Sequence, residues 1–114
     1  MNVKQCDIVL LPVPFSDQTS CKVRPAVVVS NDTINAKSDD VILVPMTSVL
    51  KDVPYSIVLA QESLAEGKLI TLSRARADKV FTAHHSLVRM KIGAIKKEVL
   101  KAVQQELVKS ISSS

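Results

Sequence analysis

Aromatic side chains are scarce in this chain, which has two Phe, one Tyr and no Trp in 114 residues. A nucleic acid therefore cannot be held on a broad platform of stacked aromatic rings. Any recognition of bases has to rely on hydrogen bonds to base edges in pockets. Recognition of that kind favours a short, defined nucleotide sequence over general binding.

Cysteine is also rare, since Cys6 and Cys21 are the only two. Two residues without four-ligand spacing argue against a structural zinc site, and we expect neither a metal ion nor another cofactor. The N-terminal segment lacks the apolar core of an export signal, so both thiols are expected to be reduced.

Long hydrophobic runs are missing as well. The longest, from Ile8 to Phe15, is interrupted by Pro12 and Pro14 and is too short to span a bilayer. Together with the absence of an export signal, this predicts a cytoplasmic protein that has no membrane partner.

The composition that is present indicates a folded domain with an excess of basic residues. With 46% hydrophobic residues the chain is not disordered, and its length suits one domain over 1–111 followed by a disordered tail over 112–114. So high an apolar content in a small chain suggests a surface covered by a partner or a second copy. The net charge of +4 favours nucleic acid or an acidic protein as that partner.

The first two thirds of the chain have the pattern of a β protein. Three β-branched residues follow Arg24-Pro25-Ala26 and are themselves followed by Ser30-Asn31-Asp32, which is typical of a buried strand that ends in a turn. By the same criteria we expect strands over 7–13, 25–30, 41–46, 55–59 and 69–77, shorter strands over 80–82 and 88–92, a polar loop over 16–23, and a short helix over 32–37 with Asp32 as its N-cap.

The C-terminal segment changes to a helical period. Val99, Val103, Leu107 and Ile111 recur every four residues while lysines and glutamines occupy the other faces. This pattern predicts an amphipathic helix of about 14 residues that covers a sheet. Many short strands followed by one helix indicate a mainly β fold, a small half-open barrel, rather than a sandwich.

Two strand ends carry the residues with the clearest chemical use. Pro25 restricts Arg24 to extended backbone at the start of one strand, and Thr47 and Ser48 close the next strand along the chain. If these strands pair antiparallel, Arg24 and Thr47 meet at one rim of the sheet. A guanidinium and a hydroxyl there form a clamp for a phosphodiester. The alternatives are a solvated cation for Arg24 and a backbone-bonded hydroxyl for Thr47.

Further basic residues follow in the fifth expected strand. Arg74 and Arg76 alternate along it and so share a face, and with Lys79 they suggest a group that tracks a nucleic-acid backbone, unless they are simply a charged outer face. Asp78 can pair with one of the arginines or accept a hydrogen bond from a base. Histidine is the side chain that most often acts as a general base, which makes His84 and His85 candidates, although adjacent histidines in a turn are more often surface residues.

The ordered set of these segments resembles the MazF/PemK toxins, a family of ribosome-independent endoribonucleases. The resemblance runs over roughly residues 6 to 108 and rests on five segments in family order: Asp7-Ile8-Val9-Leu10, Arg24-Pro25-Ala26-Val27-Val28-Val29-Ser30-Asn31-Asp32, Val44-Pro45-Met46-Thr47-Ser48, Ser73-Arg74-Ala75-Arg76-Ala77-Asp78-Lys79 and Lys91-Ile92-Gly93.

The resemblance implies an SH3-like half-open barrel of the CcdB/MazF/PemK type, usually a homodimer. It also implies the toxin of a type II toxin-antitoxin system, which cleaves single-stranded RNA at a short sequence without a metal. Attack by the 2′-OH then leaves a 2′,3′-cyclic phosphate and a 5′-OH. Arg24 and Thr47 are the implied catalytic pair. Lys22, Ser48, Arg74, Arg76, Asp78 and Lys79 are the expected RNA-binding set, and an acidic antitoxin is the expected partner.

Three positions depart from the family pattern. Cys6 stands where relatives often have Gly, the segment 16–23 contains no Gly, and Phe81 replaces a common arginine, so Phe81 is not assigned a phosphate contact. Two alternative functions stay open. One is a non-enzymatic inhibitor of DNA gyrase like CcdB, although the tail over 106–114 lacks the tryptophan expected for that contact. The other is a family member that binds RNA without cutting it.

Overall fold

The computed structural model describes residues 2–13 and 22–113. Within these ranges the chain forms eight strands and two α-helices, joined in places by single 3-10 turns. The elements are β1 Asp7–Val13, β2 Lys22–Val28, α1 Asp32–Lys37, β3 Asp40–Thr47, β4 Ser56–Leu59, β5 Leu64–Gly67, β6 Ser73–Arg76, β7 Phe81–His84, β8 Met90–Ile95 and α2 Lys97–Ile111.

The strands form one antiparallel sheet in the order β4-β6-β3-β2-β1-β8-β5, with β7 paired to β3 off this path. Strand β3 organises the sheet. One of its edges pairs with β2, and the other pairs first with β7 and then, at its C-terminal end, with β6. Because β3 changes partners along its length, the sheet curls into a half-barrel. The expected mainly β half-barrel with a C-terminal helix is confirmed.

The inner strands are buried on both faces, which explains their unbroken apolar sequences. In β2, Val27 packs into one hydrophobic cluster, while its neighbours Ala26 and Val28 pack into a second. In β3, Val44 belongs to the first cluster and Leu43 to the second. Because each face of the sheet carries an apolar cluster, other parts of the chain must shield each face from water.

Helix α2 covers the first cluster, as its four-residue spacing predicts. Leu100 and Val103 are buried there, and Val99 packs against the same cluster. Leu107 is only partly buried and Ile111 is exposed, so the apolar stripe continues past the core. Neither α1 nor α2 is long and apolar enough to cross a membrane, and these are the helices of the described ranges.

Several boundaries differ from the sequence-based expectations. Strand β2 begins at Lys22, so Arg24 is its third residue, because Lys22 and Val23 pair with the end of β1. Most of the expected loop over 16–23, including Cys21, lies outside the described residues. Asn31 caps α1, accepting the Ile34 N–H at 2.9 Å, instead of Asp32.

The expected strand over 69–77 is shorter in the structure, where β6 starts at Ser73, and a separate strand β5 precedes it over Leu64–Gly67. The sequence of β5 has no β-branched residue. It forms a strand because β8 offers its edge, and two glycines let the backbones approach. A Cβ on Gly93 would lie 2.7 Å from the Glu66 carbonyl oxygen, and one on Gly67 would lie 2.5 Å from that of Ile92.

Candidate functional site

Arg24 is an exposed cation held on a strand with buried neighbours. It pairs with Leu11 across the β1–β2 ladder, and Leu11 is fully buried. Alternation along β2 places Arg24 on the same side as Ala26 and Val28, the side of the second cluster. The strand therefore fixes where the side chain starts, while its guanidinium reaches solvent.

Thr47 is the last residue of β3 and is half-buried. Its Oγ1 accepts a hydrogen bond from the Val49 N–H at 3.1 Å. The hydroxyl thus bonds its own backbone, as the simpler interpretation of this residue anticipates. That bond uses a lone pair of the oxygen and leaves the hydroxyl proton available for donation to a ligand.

The strand register brings these two residues to the same end of the sheet. Strands β2 and β3 pair Ala26 with Pro45 as the last pair of their ladder, and Arg24 and Thr47 each lie two residues beyond that pair. On the other edge of β3, Thr47 pairs directly with Arg74 of β6. Directly opposite residues on paired strands have Cβ atoms about 5 Å apart and share a face. Thr47 therefore lies directly beside Arg74 in the β3–β6 ladder, and Arg24 lies at the same end of the neighbouring strand β2.

Three more residues of the expected RNA-binding set are exposed. Lys22 starts β2 two residues before Arg24 and so shares its face, and Ser48 follows Thr47 directly. Lys79 ends the 3-10 turn after β6. All three are accessible to a ligand, and the first two lie beside the Arg24–Thr47 end of the sheet.

Arg74 is not exposed, although both the predicted nucleic-acid contact and the alternative of a charged outer face require it to be: its side chain is only 11% exposed. Its Nη1 donates to Ser56 Oγ at 3.0 Å and lies 3.7 Å from a carboxylate oxygen of Asp52. Its Nε is buried and has no hydrogen-bond partner among the described residues. The alternation of Arg74 and Arg76 on one face is correct, but only one of the two is buried.

Arg76 forms a bidentate ion pair with Asp78, with Nε–Oδ1 at 2.9 Å and Nη2–Oδ2 at 2.7 Å. The hydrogen bonds from Arg76 hold the pKa of Asp78 below its usual range, and those to Asp78 raise the pKa of Arg76. Of the two possibilities for Asp78, pairing with an arginine is therefore the one observed. Both groups are engaged with each other and present less free charge to a ligand.

The histidines lie at the far end of β3 from Thr47. His84 pairs with Asp40, the first residue of that strand, while Thr47 is its last. Seven residues of extended chain span about 23 Å. His84 Nδ1 lies 2.7 Å from Ser86 Oγ, and ligand atoms of Asp39, His84 and His85 lie within 4.8 Å of one another. Donors of this type could hold a divalent metal, but neither histidine is placed to take a proton near Thr47.

Two residues of the site, Ser56 and Asp52, were missed by the sequence reasoning. Both contact Arg74, and Ser56 Oγ also donates to the Val53 carbonyl oxygen at 2.6 Å. Their types and spacing resemble any polar loop. Ser56 pairs with Arg76 in the β4–β6 ladder, and only this pairing brings Ser56 beside the guanidinium of Arg74, two residues earlier in β6.

The fold and this rim define a class of protein: a small curled β half-barrel in which β3 ends beside Arg74 and near Arg24, with a helix closing one face. The MazE–MazF complex of Deinococcus radiodurans is similar, with a TM-score of 0.74 and 22% identity over 100% of both chains. An endoribonuclease of a mycobacterial species, solved with its cognate antitoxin, has a TM-score of 0.75 and 14% identity over 98% of this chain and 99% of that one. The toxin MazF-mt6 of Mycobacterium tuberculosis has a TM-score of 0.70 and 13% identity, covering 90% and 94%.

These structural likenesses establish the fold. Among proteins of curated function, no sequence is similar enough to count as a relative. The family model that describes the PemK-like, MazF-like toxins of type II toxin-antitoxin systems matches the sequence over residues 4–111, nearly the whole chain. The chain belongs to this toxin family, which confirms the resemblance found in the sequence and does not favour the gyrase-inhibitor alternative.

Proposed function

We propose that the chain is an endoribonuclease toxin that cleaves single-stranded RNA at a short sequence, without a metal ion. The observation that carries the proposal is that exposed Arg24 and half-buried Thr47 each lie two residues beyond the last pair of the β2–β3 ladder, Ala26 with Pro45, at one end of the sheet. Membership of the toxin family and the endoribonuclease activity of structural relatives support it.

In the proposed reaction the RNA supplies its own nucleophile. The 2′-oxygen forms a bond to phosphorus, the bond from phosphorus to the 5′-oxygen breaks, and the products are a 2′,3′-cyclic phosphate and a 5′-OH. The proton of the 2′-OH leaves and the 5′-oxygen gains one. A guanidinium is a poor base, so the role of Arg24 is to neutralise the negative charge that builds up on the phosphorane.

Thr47 has the complementary role of donor to a non-bridging phosphate oxygen. Its hydroxyl accepts from the Val49 N–H, which orients the oxygen and leaves the proton free to point at the phosphate. Lys22, Ser48 and Lys79 extend the contact along the RNA backbone, since all three are exposed. The expectation that Arg74, Arg76 and Asp78 also bind RNA is weakened by burial of the first and the mutual pairing of the other two.

The proposal includes two protein partners, an acidic antitoxin and a second copy of the chain. A net charge of +4 favours an acidic antitoxin segment that covers the RNA-binding rim. Apolar side chains exposed at Val49, Leu50, Tyr55 and Val58 favour a homodimer, which buries them. Sedimentation equilibrium should then give about twice the 12.4 kDa mass of one chain. Because mRNA is the proposed substrate, the toxin acts in the cytoplasm.

The test is cleavage of 5′-labelled single-stranded RNA by purified protein in EDTA, with analysis of the new ends. Wild-type protein should give fragments with 2′,3′-cyclic phosphate and 5′-OH ends. Arg24→Ala should lower the single-turnover rate about 10³-fold, the scale for loss of a charged transition-state donor. Lys101→Ala removes the same charge from an exposed position of α2 and should leave the rate unchanged. Intact RNA with wild-type protein on a panel covering all short sequences contradicts the proposal.

A further inference from the structure

Arg74 is a nearly buried charge whose surroundings satisfy it poorly. The side chain is 11% exposed, and its partner carboxylate, at 3.7 Å, belongs to Asp52, which is 98% exposed. The Nε atom has no hydrogen-bond acceptor within the described part of the chain. A buried charge with incomplete pairing is unfavourable for stability. A contribution to stability is therefore a poor explanation for an arginine at position 74. A better explanation is that Arg74 holds particular neighbouring residues in place.

The guanidinium holds the far end of the segment that connects β3 to β4, residues 48–55, here called the β3–β4 segment. Arg74 Nη1 donates to Ser56 Oγ at 3.0 Å, and the same Oγ donates to the Val53 carbonyl oxygen at 2.6 Å. The charge of Arg74 also attracts Asp52 in the middle of the segment. One side chain thus ties down two points of the segment, one by hydrogen bonds through Ser56 and one by charge.

The near end of the same segment sets the orientation of the Thr47 hydroxyl. The Val49 N–H, two residues into the segment, donates to Thr47 Oγ1 at 3.1 Å. A lone pair engaged in this way limits the directions in which the hydroxyl can send its proton. If the segment moves, this N–H leaves Oγ1, and the hydroxyl rotates freely. The backbone of Arg74 also pairs with Thr47 in the β3–β6 ladder. Arg74 is therefore connected to Thr47 in two ways, directly through the ladder and indirectly through the β3–β4 segment.

We propose that Arg74 is a positioning residue for RNA cleavage, which acts on Thr47 through the β3–β4 segment and does not contact the RNA phosphate. The inference rests on the proposed function, because it takes Thr47 as the donor to the phosphate. Arg24 is then the exposed arginine that meets the substrate, and Arg74 is the buried arginine that holds the hydroxyl in place. The burial of Arg74 argues against a direct phosphate contact, which requires an accessible guanidinium.

The experiment compares Arg74→Gln and Arg74→Lys with Ser56→Ala, which removes the hydrogen-bonded link between the guanidinium and the segment but leaves the attraction to Asp52. Lys101→Gln serves as the control for loss of one positive charge. Three quantities are measured: the single-turnover cleavage rate at saturating RNA, the affinity for an RNA with a 2′-deoxy group at the cleavage site as a function of salt, and hydrogen exchange of the Val49 amide.

Arg74→Gln should lower the cleavage rate about 10-fold or more, since removing a supporting residue costs less than the donor itself. The Val49 amide should exchange faster, while the affinity for uncleavable RNA and its salt dependence stay as in wild type. Ser56→Ala should have the same effects to a smaller degree. Arg74→Lys keeps the charge but lacks the planar fork, so it should recover part of the rate.

Two results overturn the inference. If Arg74→Gln weakens RNA binding and reduces the slope of log affinity against log salt by about 0.7, with the rate unchanged, then Arg74 binds a phosphate directly. If the cleavage rate and Val49 exchange are both unchanged, then the segment does not depend on Arg74. Should Arg74→Gln fail to fold, Ser56→Ala decides the question. If wild-type protein cuts no RNA, the proposed function fails, whereas Val49 exchange still shows whether Arg74 holds the segment.

Discussion

Arg76 and Asp78 form a two-pronged ion pair at the end of β6, with nitrogen-to-oxygen distances of 2.9 and 2.7 Å. The two side chains are 24% and 25% exposed, so water screens the pair only in part. Short bonds between two charged groups are stronger than bonds between neutral ones. The pair therefore fixes the 3-10 turn over Ala77–Lys79, which carries the exposed Lys79.

The first prediction concerns the dependence of stability on pH. The pKa of Asp78 is lower in the folded state than in the unfolded chain, so the pair stabilises the fold above the unfolded-state pKa. That contribution is lost as the pH falls through the lowered pKa of the folded state. Asp78→Asn should therefore cost about 1 kcal/mol of unfolding free energy at pH 7 and almost nothing at pH 2.

Urea denaturation of wild-type protein and Asp78→Asn at both pH values measures this difference. Asp40→Asn, at an exposed carboxylate at the start of β3, is the control. An equal cost of Asp78→Asn at both pH values would show that the ion pair is not the source of the stability.

The second prediction concerns Cys6, which lies in the left-handed region with φ at 81°. A side chain at such a φ costs about 1 kcal/mol relative to glycine. Burial raises the pKa of the Cys6 thiol, so the residue behaves as a small buried apolar group. Cys6→Gly should thus be about 1 kcal/mol more stable than Cys6→Ala, the reverse of the order in a helix.

Thermal unfolding of the two Cys6 variants measures this order. Ala102→Gly in α2 supplies the comparison, because glycine in a helix should lower stability relative to alanine by about 1 kcal/mol. If Cys6→Ala were the more stable of the Cys6 variants, backbone strain at this position would be excluded.

The third prediction tests whether cleavage depends on the hydroxyl of Thr47 or on the volume of its side chain. Thr47→Val preserves the volume and removes the proposed donor, so single-turnover cleavage should slow by about 10²-fold. Thr47→Ser keeps a hydroxyl and should retain most of the rate. Thr82→Val, at an exposed threonine of β7, should have no effect on cleavage. Equal rates for Thr47→Val and Thr47→Ser would remove the hydroxyl from the mechanism.

The fourth prediction concerns the approach of β5 to β8. Gly93→Ala places a Cβ 2.7 Å from the Glu66 carbonyl oxygen, a backbone atom that cannot rotate away. The variant should lose about 1–3 kcal/mol of stability, as overpacked sites do. Amide exchange should accelerate in β5, an edge strand, more than at the β2–β3 ladder. An equal increase in the exchange rate across the whole sheet would show that the effect of Gly93→Ala is not local to β5.

Sequence patterns predicted the elements whose side chains are strongly periodic or continuously apolar. Strand β1 over Asp7–Val13 and helix α1 over Asp32–Lys37 have the expected bounds, and α2 extends over 15 residues. Strand β5 was not predicted, since its sequence has little β propensity and depends on a neighbouring edge. Tertiary pairing overrides propensity in such short strands.

The sequence showed which types of side chain lie at the candidate site. It did not show which of them are exposed to a ligand and which are held by other side chains. Arg24 beside Pro25 and Thr47 at a strand end stand out because local backbone rules restrict them. Arg74 and Arg76 look equivalent in the sequence, two positions apart on one face. Only the fold buries the first against Ser56 and pairs the second with Asp78.

The amino-acid sequence by itself determined most of the strands and both helices, although not β5, since periodicity and turn residues act over a few neighbouring positions. It also supplied the cation near the start of one strand and the hydroxyl at the end of the next. The tertiary structure decided which residues across the chain become neighbours, because register depends on the packing of both faces of the sheet at once. For that reason the position of Thr47 beside Arg74, twenty-seven residues away in the chain, emerges only in the folded protein.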